Sequence, residues 1–142
     1  MTIWIRFRPA RIVSKGGVSV LVVVPEMVQS AAAGVPVVGA PFTGLDVSIN
    51  NGVMQPVSAV IDSGGEQGYL PSSVSGSVPA GTHISVYTSD GSTLLYSYTT
   101  TAENSPAVVS GAPMNTGNEP FALVRVYISY SPSGEGTTIF GT

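Results

Sequence analysis

The sequence predicts a mainly β protein in which short strands are joined by tight turns. Only 9% of its 142 residues are charged, while 17 are glycine and 11 are proline. This composition is typical of many short strands and turns, not of long solvated helices. Several stretches alternate apolar and polar residues, and no segment keeps the period of an α-helix. Since 43% of the residues are hydrophobic, we expect one compact domain with a buried core.

Three antiparallel pairs of strands account for most of the β pattern, which begins at Gly34. The first pair joins at the turn signal Asn50-Asn51-Gly52 and delivers Asp62 at the end of its second strand. Tyrosines within these stretches are interpreted as packing across a sheet. The predicted strands are residues 45–49, 57–61, 84–88, 94–98, 123–130 and 137–140, with further turns at 89–92 and 132–134.

Charge is distributed unevenly along the chain. All eight acids lie after residue 15, whereas four of the five bases lie at or before it: Arg6, Arg8, Arg11 and Lys15. From Gly16 onward, one base and eight acids give a formal charge of −7. Such a body would repel the phosphates of a nucleic acid, so we expect no nucleic-acid partner.

The residue inventory also limits the chemistry. The absence of cysteine excludes disulfides, thiol nucleophiles and thiolate metal ligands. His83 is the only histidine, which excludes a histidine-rich metal site and favours a structural role for that ring. The glycine-rich stretch at 64–68 lacks the Lys-Ser/Thr ending of a phosphate loop. No apolar stretch reaches the roughly 18 residues that span a bilayer, so we expect no transmembrane segment.

Residues 1–33 differ in composition from the rest and are predicted to form an N-terminal arm before a β domain at 34–142. A basic stretch precedes an apolar run at 18–24, Pro25-Glu26 and alanines at 31–33. These are the parts of a secretory signal, although Pro25-Glu26 interrupts them. The β-branched residues at 18–24 also suit a strand. Residues 18–32 resemble the start of mycobacterial PE proteins, which implies a truncated PE-like segment.

The sharpest motif is Val60-Ile61-Asp62-Ser63-Gly64. Two apolar residues, an aspartate, a hydroxyl residue and glycine form the local signature of aspartic proteases. The apolar pair anchors a strand, the hydroxyl can bond within the site, and glycine permits a tight turn near the carboxylate. On its own, Asp-Ser-Gly is also an ordinary turn.

The surrounding sequence favours the protease interpretation. Residues 41–140 resemble the C-terminal lobe of the pepsin-like aspartic protease domain found in PE and PE-PGRS proteins. This resemblance implies a single lobe of the pepsin/retropepsin-like acid protease fold, with Asp62 as a catalytic aspartate and Ser63 and Gly64 as its supports. Ile139-Phe140-Gly141 fits the apolar-apolar-glycine pattern that accompanies the catalytic loop in these folds.

The resemblance implies an aspartic endopeptidase lobe that acts on peptides or proteins without a metal or other cofactor. Hydrolysis by this class needs two carboxylates that share one proton. The sequence holds one such motif, so we expect activity only when a homodimer or a partner lobe supplies a second aspartate. In a homodimer, residues 88–93 are predicted to act as a flap over the cleft.

Two other functions are open at this point. An isolated lobe exposes an apolar face, which favours a non-catalytic binding or structural module that self-associates or docks on a partner. Alternatively, the chain is a degenerate remnant of a PE-linked aspartic protease. The resemblance to PE proteins implies export to the cell envelope or secretion.

Overall fold

A computed structural model describes residues 34–129 and 135–141, and within residues 1–33 it describes the backbone of four short strands. This part of the chain is mainly β, as predicted, with one helix, α1 (Glu119–Leu123). The strands in chain order are β1 (Ile5–Arg6), β2 (Arg11–Lys15), β3 (Val18–Val22), β4 (Glu26–Met27), β5 (Gly34–Val38), β6 (Phe42–Ile49), β7 (Gln55–Val60), β8 (Tyr69–Pro71), β9 (His83–Thr88), β10 (Leu94–Thr99), β11 (Ala107–Val109), β12 (Met114–Asn115), β13 (Val126–Ser129) and β14 (Thr137–Gly141).

The four strands of the first 33 residues form two antiparallel pairs, β1 with β4 and β2 with β3. The strand β3 covers most of the apolar run at 18–24, which confirms the strand interpretation for Val18–Val22. The alanines at 31–33, which belong to the PE-like interpretation, lie outside the described residues.

The main sheet has seven strands in the order β10-β9-β6-β7-β12-β8-β11. The first four strands are antiparallel neighbours, whereas β12 runs parallel to β7 and antiparallel to β8. The strand β12 therefore lies between two strands that are distant from it in sequence. This insertion brings residues 114–117 beside the end of β7.

The hairpin of β6 and β7 confirms the first predicted pair. Leu45 and Val47 of β6 and Val57 and Ala59 of β7 are buried, and the residues between them are more exposed. At the turn, Asn50 and Asn51 have φ values of 51° and 58°. Asparagine tolerates this left-handed backbone, and the turn matches the twist of the two strands. The hairpin thereby fixes the direction in which β7 leads to residue 62.

The second predicted hairpin is also present, between β9 and β10. Its register shifts between Leu94 and Tyr96, so Leu95 is an extra residue and both Leu95 and Tyr96 are buried. The turn is held by Asp90, whose Oδ1 accepts hydrogen bonds from the Thr88 hydroxyl and from the amide and hydroxyl of Ser92. These bonds explain a tight turn at an exposed position.

The second sheet has the order β13-β14-β5, and its strands are antiparallel. It confirms the predicted pairing of residues 137–140 with the strand before them, while Tyr130 and the turn at 132–134 lie outside the described residues. Phe140 is 1% exposed and packs in the core. The predicted association of Ile139-Phe140-Gly141 with the Asp62 turn is wrong, because β14 belongs to this sheet and β12 lies beside that turn.

The helix α1 corrects the prediction of a strand from residue 123, since Leu123 is the last helical residue and β13 begins at Val126. Pro120 lies in the first turn, where its missing amide hydrogen leaves no bond unmade, and Glu119 complements the positive end of the helix dipole. In the described part of the chain, no helix is long and apolar enough to cross a membrane.

One polar atom lies in the core without a partner. Tyr96 is 4% exposed and stacks on Tyr98 and Phe140, with ring centroids 6.5 and 6.0 Å away. Its hydroxyl is the one buried side-chain polar atom of the described residues that lacks a hydrogen bond. Burial, with smaller contributions from Tyr98 and Glu119, raises the pKa of Tyr96, so its phenol stays neutral. The stacking confirms that these two tyrosines pack within the sheet.

We expect Tyr96→Phe to raise the free energy of unfolding by about 1 kcal/mol, because it removes a buried hydroxyl that has lost its water without gaining a partner. Chemical denaturation of both proteins at neutral pH measures the change. Tyr98→Phe is the matched control, and its effect should be smaller because Tyr98 is only partly buried. A clear loss of stability in Tyr96→Phe would show that the hydroxyl is bonded.

The Asp90 turn should make hairpin stability depend on pH. Hydrogen bonds from Thr88 and then from Ser92 lower the pKa of Asp90 from 3.8 to about 2. A lowered pKa in the folded state means that the stabilisation is present above the unfolded pKa and is lost as the pH falls through the folded one. Asp90→Ala should therefore be less stable than the wild type above pH 4, and the difference should fade towards pH 2 in thermal melts. A difference that is constant with pH would contradict this account.

Candidate active site

Asp62 lies two residues beyond the end of β7. The strand is anchored by the buried side chains of Val57 and Ala59, and Ile61 is 4% exposed. The amide of Ile61 donates a hydrogen bond to the carbonyl of Pro41 at 3.0 Å, which continues the contact between β7 and β6 past the ends of both strands. The backbone therefore enters the turn in a fixed direction and presents Asp62 at the edge of the core.

Both oxygens of the Asp62 carboxylate accept hydrogen bonds. The amide of Gly64 donates to Oδ1 at 2.9 Å, closing the turn on itself. The side-chain amide of Asn115 donates to Oδ2 at 2.9 Å from the neighbouring strand β12. The carboxylate is therefore oriented by one donor from its own turn and one from a residue 53 positions away in sequence.

The loop after β12 also holds the backbone of the turn. The amide of Asp62 donates to the hydroxyl of Thr116 at 3.2 Å, and that hydroxyl donates to the carbonyl of Gly117 at 3.0 Å. The amide of Thr116 donates to the carbonyl of Val60 at 3.0 Å, continuing the parallel pairing of β12 and β7. Thr116 is 3% exposed, so these bonds lie away from water.

Two glycines allow the turn and this loop to approach closely. A Cβ on Gly68 would lie 2.1 Å from the carbonyl oxygen of Asn115, and a Cβ on Gly117 would lie 2.6 Å from the amide nitrogen of Gly68. Gly117 also has a φ of 57°, which side chains disfavour. The crossing of the two segments therefore depends on glycine at both positions.

Hydrogen bonding keeps the Asp62 carboxyl ionised. The hydrogen bond from Asn115 is the largest cause of the change in the pKa of Asp62, and the Gly64 amide is the next. Burial acts in the opposite direction, and the Gly65 amide acts in the same direction as the first two. Their sum lowers the pKa of Asp62 below its ordinary value. The Asp62 carboxyl therefore stays ionised to a lower pH than an ordinary aspartate.

The structure brings Asp62 and Gly64 together as the motif requires, but it leaves Ser63 exposed, with no side-chain hydrogen bond recorded among the described residues. The hydroxyl that bonds within this site belongs to Thr116 instead. Sequence reasoning missed Asn115, Thr116 and Gly117. A signal was present, since Met114-Asn115-Thr116-Gly117 repeats the order of residue types in Ile61-Asp62-Ser63-Gly64, with an amide in place of the acid.

His83, the other candidate from the sequence, lies in a structural position. His83 begins β9, where its backbone amide donates to the Asn50 side chain at 2.8 Å and its Nδ1 lies 3.4 Å from the Thr99 hydroxyl. Within residues 34–129 and 135–141, no group of three histidine, cysteine or acidic side chains could hold a metal ion.

We expect Thr116→Val to lower the free energy of unfolding by about 1 to 3 kcal/mol, because the isosteric change leaves the Asp62 amide and the Gly117 carbonyl without their buried partner. Urea denaturation measures the loss. Ser63→Ala is the control, since it removes an exposed hydroxyl of the same turn and should change stability by less than about 0.5 kcal/mol. Equal effects of the two substitutions would contradict the assigned role of Thr116.

Comparison of the sequence with known proteins shows the family to which the chain belongs. The family model described as the PE-PGRS C-terminal aspartyl peptidase-like domain matches residues 20–138. PE cleavage protein A of two Mycobacterium tuberculosis strains is 51% identical over 111 residues, which cover 77% of this chain and 20% of that protein. PE cleavage protein A of Mycobacterium marinum is 46% identical over 104 residues, covering 72% of this chain and 19% of that protein.

The chain thus spans about a fifth of the length of the curated relatives that it matches. The mainly β fold and the family match together confirm the pepsin-like lobe expected from the sequence. The mycobacterial relatives confirm the expected relation to PE proteins. The chain belongs to the PE-PGRS C-terminal aspartyl peptidase-like domain family.

Proposed function

We propose that this protein supplies one half of an aspartic endopeptidase site, with Asp62 as one of two catalytic carboxylates and Ser63 and Gly64 as its supports. The observation that carries the proposal is the Asp62 turn itself, in which Gly64 and Asn115 orient the two carboxylate oxygens. Membership of an aspartyl peptidase-like family supports it. The relatives are named PE cleavage protein A, which supports a peptide or protein substrate.

The proposed reaction needs a second carboxyl group. In this chemistry, an ionised carboxylate takes a proton from water while the water oxygen attacks the substrate carbonyl carbon, and a protonated carboxyl donates its proton to the carbonyl oxygen. Among the described residues, Asp62 is the one aspartate of this turn, whereas Asp46 lies within β6 and Asp90 caps the β9–β10 turn. A homodimer or a partner lobe on another polypeptide would bring the second aspartate.

The position of the β9–β10 turn supports the proposed flap. In the antiparallel pairing of β6 with β9, Leu45 lies opposite Thr88, so the chain after Thr88 continues towards the start of β6. Phe42, at that start, lies opposite Val60. The strand ends at Thr88 and Val60 therefore lie at the same end of the sheet, which supports the proposal that residues 88–93 act as a flap.

An open groove beside this end of the sheet favours a second candidate function, a non-catalytic binding module. Val38 and Phe42 line the groove and are 80% and 59% exposed. Exposed apolar side chains of this size favour contact with a partner. In the catalytic proposal, the same surface would contact the second lobe or the substrate. The two functions differ in whether Asp62 is required.

We also propose the division of the chain into an arm at 1–33 and a lobe at 34–142, and export to the cell envelope or secretion. The first proposal is supported by the sheet topology, since β5 to β14 form two sheets that are separate from the strand pairs of β1 to β4, and by the change in composition before Gly34. The second is supported by the relation to mycobacterial PE proteins. Fractionation of mycobacterial cells that express the protein tests export, and its recovery in the cytosol alone would contradict it.

We expect Asp62→Asn to lower the rate of peptide cleavage at acidic pH by at least about a hundredfold, because the amide cannot accept a proton from water. Cleavage of a peptide library by the protein at micromolar concentration measures the rate. Asp46→Asn is the matched control, since it makes the same chemical change in β6 and should leave the rate unchanged. Equal rates for Asp62→Asn and the wild type would contradict the proposal.

A mixing experiment separates the two sources of the second aspartate. When wild type and Asp62→Asn are mixed equally at fixed total concentration, a homodimer should retain about a quarter of the activity, because only wild-type pairs carry two aspartates. With a partner lobe in excess, about half should remain, because each active chain works independently. Absence of cleavage in every assembly, with partner binding intact, would favour the binding module.

A further inference from the structure

We propose that Asn115 is a positioning residue for Asp62, because its fixed side-chain amide holds one oxygen of the Asp62 carboxylate. As a statement about catalysis, this inference rests on the proposed function, because it holds that Asn115 orients Asp62 for its part in the carboxyl pair. As a statement about Asp62 itself, it depends only on the geometry of the site.

The orientation of the Asn115 amide follows from its two neighbours. The amide of Gly117 can only donate, and it lies 2.7 Å from Oδ1 of Asn115. An ionised carboxylate can only accept, and Oδ2 of Asp62 lies 2.9 Å from Nδ2 of Asn115. The oxygen of the amide must therefore face Gly117 and its nitrogen must face Asp62. Reversing the amide would place two donors together at one end and two acceptors at the other.

The backbone of Asn115 is fixed on both sides. It lies opposite Val60 of β7 in the parallel pairing and opposite Tyr69 of β8 in the antiparallel pairing. Thr116 continues the contact with β7 through its hydrogen bond to Val60. A side chain on a backbone held by two strands loses little further freedom when it binds, so it is well suited to hold a neighbouring group in one place.

No side chain of the Asp62 turn makes this contact with the carboxylate. Gly64 reaches Oδ1, and the Ser63 hydroxyl makes no recorded bond among the described residues. The Asn115 amide is accordingly the one side-chain donor recorded for the carboxylate in the described part of the chain. Removing it would leave the carboxylate only the backbone amides of Gly64 and Gly65 as donors.

The consequence for ionisation follows from the same geometry. The bond from Asn115 is the first cause of the lowered pKa of Asp62, ahead of the amides of Gly64 and Gly65, and burial opposes them. The other titratable groups of the two segments are Glu66 after the turn and Glu119 at the start of α1, and neither is a cause of the shift. The ionised form is therefore favoured by donors and not by a nearby positive charge.

Titration of the Asp62 carboxyl carbon by nuclear magnetic resonance tests the proposal without requiring catalysis or a second lobe. The wild type is compared with Asn115→Ala, which removes the donor, and with Asn115→Asp, which keeps an acceptor for Gly117 but replaces the donor by an acid. Asn118→Ala is the matched control, because Asn118 is an exposed amide three residues away that makes no side-chain cap hydrogen bond.

We expect the pKa of Asp62 to rise in Asn115→Ala, and to rise further in Asn115→Asp because two adjacent carboxyl groups share a proton. It should stay at the wild-type value in Asn118→Ala.

An unchanged pKa in a folded Asn115 variant would overturn the proposal. Since the pKa is measured in the isolated protein, an inactive wild type with the expected shifts would overturn the proposed function alone, and an active protein with no shift would overturn this inference alone.

Discussion

The parallel pairing of β12 with β7 is the interaction on which the candidate site depends. It is short, covering Met114 and Asn115 opposite Ala59 and Val60. The pairing nevertheless places a loop from the second half of the chain against the end of β7. Without it, the Asp62 carboxylate would lose its side-chain donor and would keep only the backbone amides of its own turn, Gly64 and Gly65.

The contacts around this pairing reinforce one another. Thr116 binds the backbone of the turn, Asn115 binds its carboxylate, and Gly117 orients Asn115 in return. The close approach of Gly68 and Gly117 lets the segments cross without displacing these donors. Because each member of this partly buried network has a partner, the Asp62 carboxylate is held at a crossing of strands and not on a free loop.

The sequence predicted the parts of the structure that are specified locally. The β6–β7 hairpin follows from alternating residues and an Asn-Asn-Gly turn, and the Asp62 turn follows from its own five residues. The contribution of β12 could not be predicted in this way, because a strand of two residues has no visible alternation and its partner lies more than fifty positions away. The helix α1 is likewise too short to show a period, and the bulge at Leu95 interrupts the alternation of β10.

As we propose, Asp62 is half of a catalytic pair, and the other half comes from a second lobe. The most direct measurement is the distance between the Asp62 carboxylate and the nearest aspartate of the other lobe, in a crystal structure of the assembled form. We expect the two carboxyl groups to lie within hydrogen-bond reach, about 3 Å between oxygens, so that they share a proton. An assembly that holds them far apart, with Asp62 facing solvent, would contradict it.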